Sequence, residues 1–481
     1  MSIQTLRNRI RNVVGFTALT GAAAYYVLAA REVKVLGDMH KAAAASDSSR
    51  SPSPRVCWGT RIYKQILVPV LFPLTASDPE VAHGIAVASG AVFGRIVFFV
   101  NRWWHCFNVY RERMIERLGT LLLDGDTRKP AIAEAPVGSD STDPLRQCLF
   151  GVEFPRPVGI AAGFDKNGDL LHLFSSDFLG NGFAEIGSVS KEPWPGNPRP
   201  RLFRLTRDQG IINRMGLNNK GAAAMGEKLG KFNRLVNGGG TPIGVNITKT
   251  PSPNIENEAA VADMVATFDE VSPYAAYINV NISCPNTAEG KTFEDLQALE
   301  ALLKALIARR RDDCPDKAIL VKLSPPPADA DDKYYKGVSA LVKKALELGV
   351  DGFVMTNTVP DRGDDLGLDK SIGDSMHHQK GGISGRPIRK RAISLVRHVY
   401  KETEGKVPII GCGGVFTADD AYKLIRSGAS LVQIYTGMIY EGPWIFRDIH
   451  NGLIELLRRD GYSSITEAIG VDAKKNDAAA A

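Results

Sequence analysis

Cysteine is scarce in this chain and never clustered. Cys57, Cys106, Cys148, Cys284, Cys314 and Cys412 are scattered over 481 positions with no C-x-x-C pair. Such spacing excludes a disulfide framework, a zinc site and a cysteine-held iron–sulfur cluster. No metal is expected. A long basic stripe is missing too. A net charge of +6 is mild for this length, which speaks against nucleic acid as a partner but permits attraction to an anionic ligand or membrane. Collagen-like and disordered biases are absent, because 44% hydrophobic and 23% charged residues make a globular composition. Nothing in the composition demands an obligate protein partner.

Acidic residues are also missing from the start of the chain. None precedes Glu32, whereas Arg7, Arg9 and Arg11 stand before the uncharged run Val13 to Ala30, which Arg31 closes. A basic, acid-free start has the character of a mitochondrial import signal. The run behind it is long enough to span a bilayer. The expected organisation is a targeting signal and transmembrane helix over 1–36, a flexible linker over 37–60, a helical segment over 61–123, a second linker over 124–150 and a catalytic domain over 151–481. A cleaved signal peptide is the other reading of the first segment. Basic residues before the span would hold the N-terminus on the matrix side of an inner membrane. The expected location is therefore the mitochondrial inner membrane, crossed once, with the catalytic domain facing the intermembrane space. Within the helical segment, Asp78-Pro79-Glu80 reads as a helix start, with Asp78 as cap and Pro79 at the first position. Trp103-Trp104, followed by Arg111 and Arg113, suits either a membrane surface or packing on the main domain.

From residue 151 onward, short apolar runs alternate with longer stretches. The runs are Val158–Phe164, Phe183–Val189, Ile243–Ile247, Ala276–Ile282, Ala318–Leu323, Gly352–Thr356, Val407–Gly411 and Leu431–Tyr435. Amphipathic helices are expected over Phe293–Arg309, Tyr334–Leu348, Ile388–Tyr400 and Ala418–Ser427. Near-continuous apolar strands with helical crossovers predict a parallel sheet, and eight of them predict an α/β fold closed as a (β/α)8 TIM barrel. Arg199–Asn213, broken by Asp208-Gln209-Gly210, reads as a β-hairpin insert.

Such barrels keep their chemistry at the C-terminal ends of the strands. Those ends are unusual here. They are Ala161-Ala162-Gly163-Phe164-Asp165-Lys166, Glu185-Ile186-Gly187-Ser188, Asn246 with Thr248 and Lys249, Asn281-Ile282-Ser283-Cys284-Pro285-Asn286-Thr287, Lys322, Thr356-Asn357-Thr358, Gly411-Cys412-Gly413-Gly414 and Tyr435-Thr436-Gly437. Lysines and amides at the end of an apolar strand are costly unless partnered. One alone is usually a satisfied core polar group; a set converging from eight strands is a site. The glycines of the seventh and eighth ends, with Gly381-Gly382-Ile383-Ser384-Gly385, suit a phosphate. A phosphate site, Lys322 and several amides suit flavin mononucleotide, with Lys322 near the flavin N1. Asn213, Asn281, Asn286 and Asn357 offer the mixed donors and acceptors of a cyclic imide's partner, and Lys166 the point charge for a carboxylate.

From about Gly151 to about Ala473 the chain resembles the dihydroorotate dehydrogenase family. The matching motifs are Ala161-Ala162-Gly163-Phe164-Asp165-Lys166, Gly196-Asn197-Pro198-Arg199-Pro200-Arg201, Ile212-Asn213-Arg214-Met215-Gly216, Ser283-Cys284-Pro285-Asn286-Thr287 and Val407-Pro408-Ile409-Ile410-Gly411. The N-terminal run and Asp78-Pro79-Glu80-Val81-Ala82-His83 resemble the membrane-bound, quinone-reducing class. The resemblance implies oxidation of dihydroorotate to orotate, one FMN per chain as hydride acceptor, ubiquinone as final acceptor, and contact with membrane lipid. It assigns Lys166, Asn213, Arg214, Met215, Gly216, Leu217, Asn281, Asn286, Asn357 and Thr358 to the substrate. It assigns Ala161, Ala162, Gly163, Ser188, Asn246, Asn281, Lys322, Thr356, Gly385, Gly414, Tyr435 and Thr436 to FMN, and His83, Arg204 and Tyr435 to a quinone tunnel.

Two departures stand out. The quinone-linked class carries serine as its base in a Ser-Ser-Pro-Asn run, where this chain has Cys284, the residue of the soluble classes. Residues 92–143 also exceed the usual connection. Ser283 as the base, with Cys284 a passive neighbour, is the competing assignment. Two other functions compete as well: a dihydropyrimidine dehydrogenase-like reductase, which needs iron–sulfur domains this chain has no cysteines for, and a non-catalytic phosphate-binding barrel, which has no use for Lys166, Lys322 and Cys284 together. A thiol, with a pKa near 8.5, is a far better base at neutral pH than a hydroxyl. Removing it in Cys284→Ala is expected to slow flavin reduction by roughly 100- to 10,000-fold. The wild-type rate should rise with pH through one ionisation that the variant lacks. Stopped-flow reduction across pH measures both, and near-normal rates in the variant would return the role to Ser283.

Overall fold

Eight short runs rich in β-branched residues form the wall of a closed parallel barrel. The computed structural model describes residues 60, 63–64, 79–97, 143–236, 240–283, 293–369 and 379–478. The expected signal and anchor, the first linker, Trp103-Trp104, Cys284 and Asn286 lie outside them. The barrel strands are β1 (Val158–Ile160), β2 (Ala184–Val189), β3 (Ile243–Ile247), β4 (Tyr277–Asn281), β5 (Ala318–Leu323), β6 (Gly352–Met355), β7 (Ile409–Cys412) and β8 (Leu431–Ile434). Neighbours in sequence are neighbours in space, and β8 closes the ring against β1. Each strand falls on an expected run, shortened where the last residues leave the ladder to build the mouth.

The expected helices form too, over Leu296–Asp313, Asp332–Leu348, Arg389–Glu402 and Ala418–Arg426. Three of the four starts follow from side chains that satisfy orphan N–H groups. Asp295 accepts from Gln297 and Ala298, and Asp331 accepts from Tyr334. Thr417 and Asp420 make a reciprocal capping box. The main core lies between the barrel wall and these helices, and includes Phe268, Leu299, Leu303, Leu395, Ile425 and Leu453. Full burial of each such side chain contributes about 1.5–3 kcal/mol.

A second apolar cluster fills the floor of the barrel: Phe183, Tyr277, Leu320, Val354, Ile410 and Leu431, met from below by Phe154. Phe154 belongs to a hairpin, Gln147–Leu149 with Val152–Phe154, whose turn residues Phe150 and Gly151 both have positive φ. That turn suits the right-handed twist of the strands, and the expected linker boundary at 150 falls within it. The floor is closed, so the polar end of the barrel is the mouth.

Over the mouth lies a three-stranded antiparallel sheet of Leu202–Leu205, Gly210–Asn213 and Gly382–Gly385. Its first two strands are the expected hairpin, paired from Leu202↔Asn213 to Leu205↔Gly210. The third strand brings Gly382 opposite Asn213.

The described helix Pro79–Val97 packs on the barrel side through Val87, Ala91, Phe93 and Val97; Asp78, the expected cap, lies outside the described residues. Phe93 meets Phe178 edge-on at 4.9 Å. Gly90 and Gly94 permit the approach, since a Cβ on Gly94 would lie 2.7 Å from that of Leu173. By length and composition this helix is apolar enough to cross a membrane, yet a buried ion pair fastens it to the barrel. Arg201 donates to Glu80 through Nη2 at 2.7 Å and Nε at 2.9 Å, and Arg199 adds a contact at 3.0 Å. The opposite face exposes Val81, Ile85 and Val92.

Hydrogen bonding from Arg201 is the largest effect holding the Glu80 carboxyl below the usual glutamate range. A depressed carboxyl contributes stability above the unfolded pKa, about 4.3, which is lost as pH falls through the folded value. The helix is therefore expected to stay docked at neutral pH and to loosen only below about pH 4. In Glu80→Ala the buried Arg201 loses its countercharge, which costs about 3–5 kcal/mol. Hydrogen exchange over 79–97 should rise strongly at pH 7 in the variant while the barrel strands stay protected.

Candidate active site

Above the apolar floor the barrel interior turns polar. The side chains that face inward come at alternate positions of the strands, as in Tyr277, Asn279 and Asn281 of β4. Glu185 of β2 sits at the centre, wholly buried. Its Oε1 accepts from Asn246 Nδ2 at 3.0 Å and Asn279 Nδ2 at 2.8 Å. Its Oε2 accepts from Gln433 Nε2 at 2.7 Å and the Tyr277 hydroxyl at 3.1 Å. Burial, with Glu185 beside it, pushes the Tyr277 phenol well above its usual pKa, so Tyr277 stays a donor.

The next layer opens into a cavity of about 1190 Å³, counted out to its open mouth. Lys322 lines it, 6% exposed, and makes no hydrogen bond or ion pair with any described residue. Beside it, burial raises the Cys412 thiol above its usual pKa, opposed by Lys322. Asn281 gives Nδ2 to Ser188 Oγ at 3.2 Å and accepts at Oδ1 from the Ser283 amide and hydroxyl, both at 3.2 Å. Ser283 is fully buried, and Asn357 Nδ2 donates to its carbonyl at 2.9 Å and its hydroxyl at 3.1 Å. Two amides thus hold the Ser283 hydroxyl just past the end of β4.

At the β7–β8 side the cavity is lined by glycine backbone. Gly413 and Gly414 have φ of 139° and 74°, a conformation that only glycine adopts readily. Their N–H groups donate to nothing among the described residues. Thr436 and Gly437 open the short helix Thr436–Glu441, so their N–H groups find no partner within it. The helix that begins at Ala418 is capped instead by protein side chains: Thr417 Oγ1 accepts from Asp420 N, and Asp420 Oδ2 accepts from Phe416 N and Thr417 N before the helix. Arg389 braces the loop, donating to Gly414 O and Asp420, each at 2.8 Å.

On the other side Lys166, Asn213, Met215, Gly216, Leu217, Asn357 and Thr358 face the cavity, with Ala161, Ala162, Gly163, Thr356, Gly385, Gly414, Tyr435 and Thr436 completing the expected set. Thr358 Oγ1 is buried with no partner among the described residues. His83 reaches the rim and meets Phe164 edge-on at 5.0 Å, and Phe164 meets Tyr435 at 5.6 Å. Burial, then Lys166, lowers the pKa of His83. Burial pushes Tyr435 up to about 12.

Other expected residues stand off the cavity wall. Asn246 lies beneath it, between Ser188 and Glu185. Arg214 points outward to Gln379, Lys380 O and Pro200 O, over the Phe203 ring. Arg204 is half-buried near Tyr440 and Tyr63, and burial lowers its pKa. Lys249, an expected strand-end group, bonds the carbonyls of Ser252 and Ile255 instead. Asn279, Gln433 and Tyr277 were given no role by motif. The signal for them was a polar residue at every second position of an apolar strand.

The family model described as "Dihydroorotate dehydrogenase" matches residues 144–457. A protein of Deinococcus deserti named "Dihydroorotate dehydrogenase (quinone)" is 38% identical over 417 residues, 86% of this chain and 100% of its own. A Synechocystis protein of the same name is 41% identical over 419 residues, 85% and 97%. The "crystal structure of DHODH in complex with ferulenol from Eimeria tenella" superposes with a TM-score of 0.64 at 30% identity, covering 84% of this chain and 98% of that one.

Ser283→Ala removes the hydroxyl that donates to Asn281 and accepts from Asn357, while the backbone of residue 283 still meets both amides. It should cost about 0.5–1.5 kcal/mol in urea unfolding. With Cys284 as the base, the pH dependence of turnover should keep its wild-type midpoint.

Proposed function

Because the chain belongs to the dihydroorotate dehydrogenase family, it is an oxidoreductase of pyrimidine biosynthesis that oxidises dihydroorotate with a quinone as acceptor, and we propose that the cavity at the barrel mouth is where FMN and substrate meet. One observation carries this reading: a buried Lys322 ammonium with no partner among the described residues, in the same cavity as the free N–H groups of Gly413 and Gly414. An unpaired buried charge is costly, and an anionic cofactor relieves it. When bound, FMN supplies the two-electron acceptor between dihydroorotate and quinone.

Gly414, Gly385 and Thr436 hold the phosphate. Lys322 stands against the ring, Ala161, Ala162, Gly163, Ser188, Asn281, Thr356 and Tyr435 border it, and Asn246 supports Ser188 from beneath. Lys166 pairs with the substrate carboxylate. Asn213, Asn281, Asn286, Asn357 and Thr358 grip its imide edge, and Met215, Gly216 and Leu217 shape the wall that Arg214 braces from outside. Cys284 takes the proton from C5 on a loop anchored by Ser283. The line His83–Phe164–Tyr435, with Arg204, forms the quinone tunnel. Ubiquinone's apolar tail suits the exposed Val81, Ile85 and Val92 face at a membrane surface. The run Val13–Ala30 would fix the chain in the mitochondrial inner membrane, with the barrel facing the intermembrane space. The domain limits stay as proposed: 1–36, 37–60, 61–123, 124–150 and 151–481.

Purified full-length protein should be yellow, bleach anaerobically with dihydroorotate and regain colour with a short-chain quinone. Absence of bleaching would reject the enzyme reading for this site. Recovery only with fumarate or a nicotinamide would reject quinone as the acceptor.

A further inference from the structure

Glu185 takes no part in the chemistry above, yet it is the most deeply buried carboxylate among the described residues. All its partners are neutral donors, from Asn246, Asn279, Tyr277 and Gln433. A carboxylate offers about four lone-pair sites and can only accept, so its coordination is filled. This has a directional consequence. Asn279 and Gln433 must turn their NH2 groups toward Glu185, and their oxygens are left buried with no donor among the described residues. Free to choose, an amide would avoid that orientation; the carboxylate imposes it.

The same constraint propagates upward. Asn246 gives its NH2 to Glu185, so its Oδ1 faces Ser188, whose hydroxyl donates to it. With its proton committed downward, Ser188 accepts from Asn281 Nδ2. Asn281 Oδ1 then faces Ser283, the residue before Cys284, and receives both its N–H and its hydroxyl. Every bond in this chain points toward Glu185. Lys322 and Glu185 also lie within electrostatic reach of one thiol, Cys412.

We propose that Glu185 is a positioning residue of the dehydrogenase. Its negative charge sets the polarity of the Asn246–Ser188–Asn281–Ser283 chain, which orients the cavity face and holds Ser283, the residue before Cys284. This rests on the flavin reading above, and the two fail differently: a wild type without flavin sinks that reading, while an unaltered variant sinks only the role of Glu185.

The test compares flavin-loaded, full-length Glu185→Gln and Glu185→Gln/Asn246→Asp with wild type. The double variant moves the carboxylate across one hydrogen bond and keeps an acceptor facing Ser188. In the single variant the flavin midpoint potential should shift upward, because a buried negative charge is gone. The rate of flavin reduction by dihydroorotate should fall by roughly 10-fold or more, the order expected from lost preorganisation. The double variant should recover most of that rate. A folded single variant with wild-type potential and rate overturns the proposal. So does a double variant no faster than the single one. If the single variant does not fold, recovery of rate in the double variant supports the proposal, and failure of both to fold or to hold flavin reduces Glu185 to a purely structural role.

Discussion

Burying charge inside a barrel is the constraint on which the site depends. A closed parallel barrel has no wet face along its strands, so a carboxylate and an ammonium within it need partners from the fold or from a ligand. Glu185 finds neutral donors on β3, β4 and β8. Lys322 finds none among the described residues and faces the cavity. The fold satisfies its buried anion and turns its buried cation toward the cavity.

The apolar floor makes this polarity possible. Phe154, Phe183, Leu320 and Leu431 close the lower end, so water and ligand approach through the mouth, under the small antiparallel sheet. Burial also keeps Tyr277 and Tyr435 protonated as donors, and His83 less basic than in water. The Pro79–Val97 helix is attached by the buried Glu80–Arg201 pair, by close approach at Gly90 and Gly94, and by ring contacts of His83 and Phe93. Its two apolar faces divide the work: Val87 and Phe93 pack on the barrel, while Val81, Ile85 and Val92 stay outside.

Much of this was legible in order along the chain. The barrel strands and the hairpin insert were readable because each depends on local pattern: β-branched runs and a turn triplet. Lys322 and Asn357 were readable because a polar residue ending an apolar strand is costly to bury unless a ligand or a neighbour meets it. Arg214 and Lys249 were less so. Both sit in the right motifs, but a long cationic side chain reaches several places, and these two reach backbone carbonyls away from the cavity. Ser283 and Cys284 are adjacent in sequence, and the contacts of Ser283 with Asn281 and Asn357 depend on strands that no local pattern relates.

The sequence by itself therefore determined the strand count, the barrel class, the family and the list of polar strand ends, since these follow from periodicity and motif. Tertiary structure alone decided how those ends are used. It assigned Asn246 to a place below the cavity wall, tied the turn before the Ala418 helix to Asp420, and joined Glu185 to Ser283 through a one-way chain of hydrogen bonds. The reason is physical: which donor meets which acceptor depends on distances between strands far apart in sequence, and no local pattern encodes them.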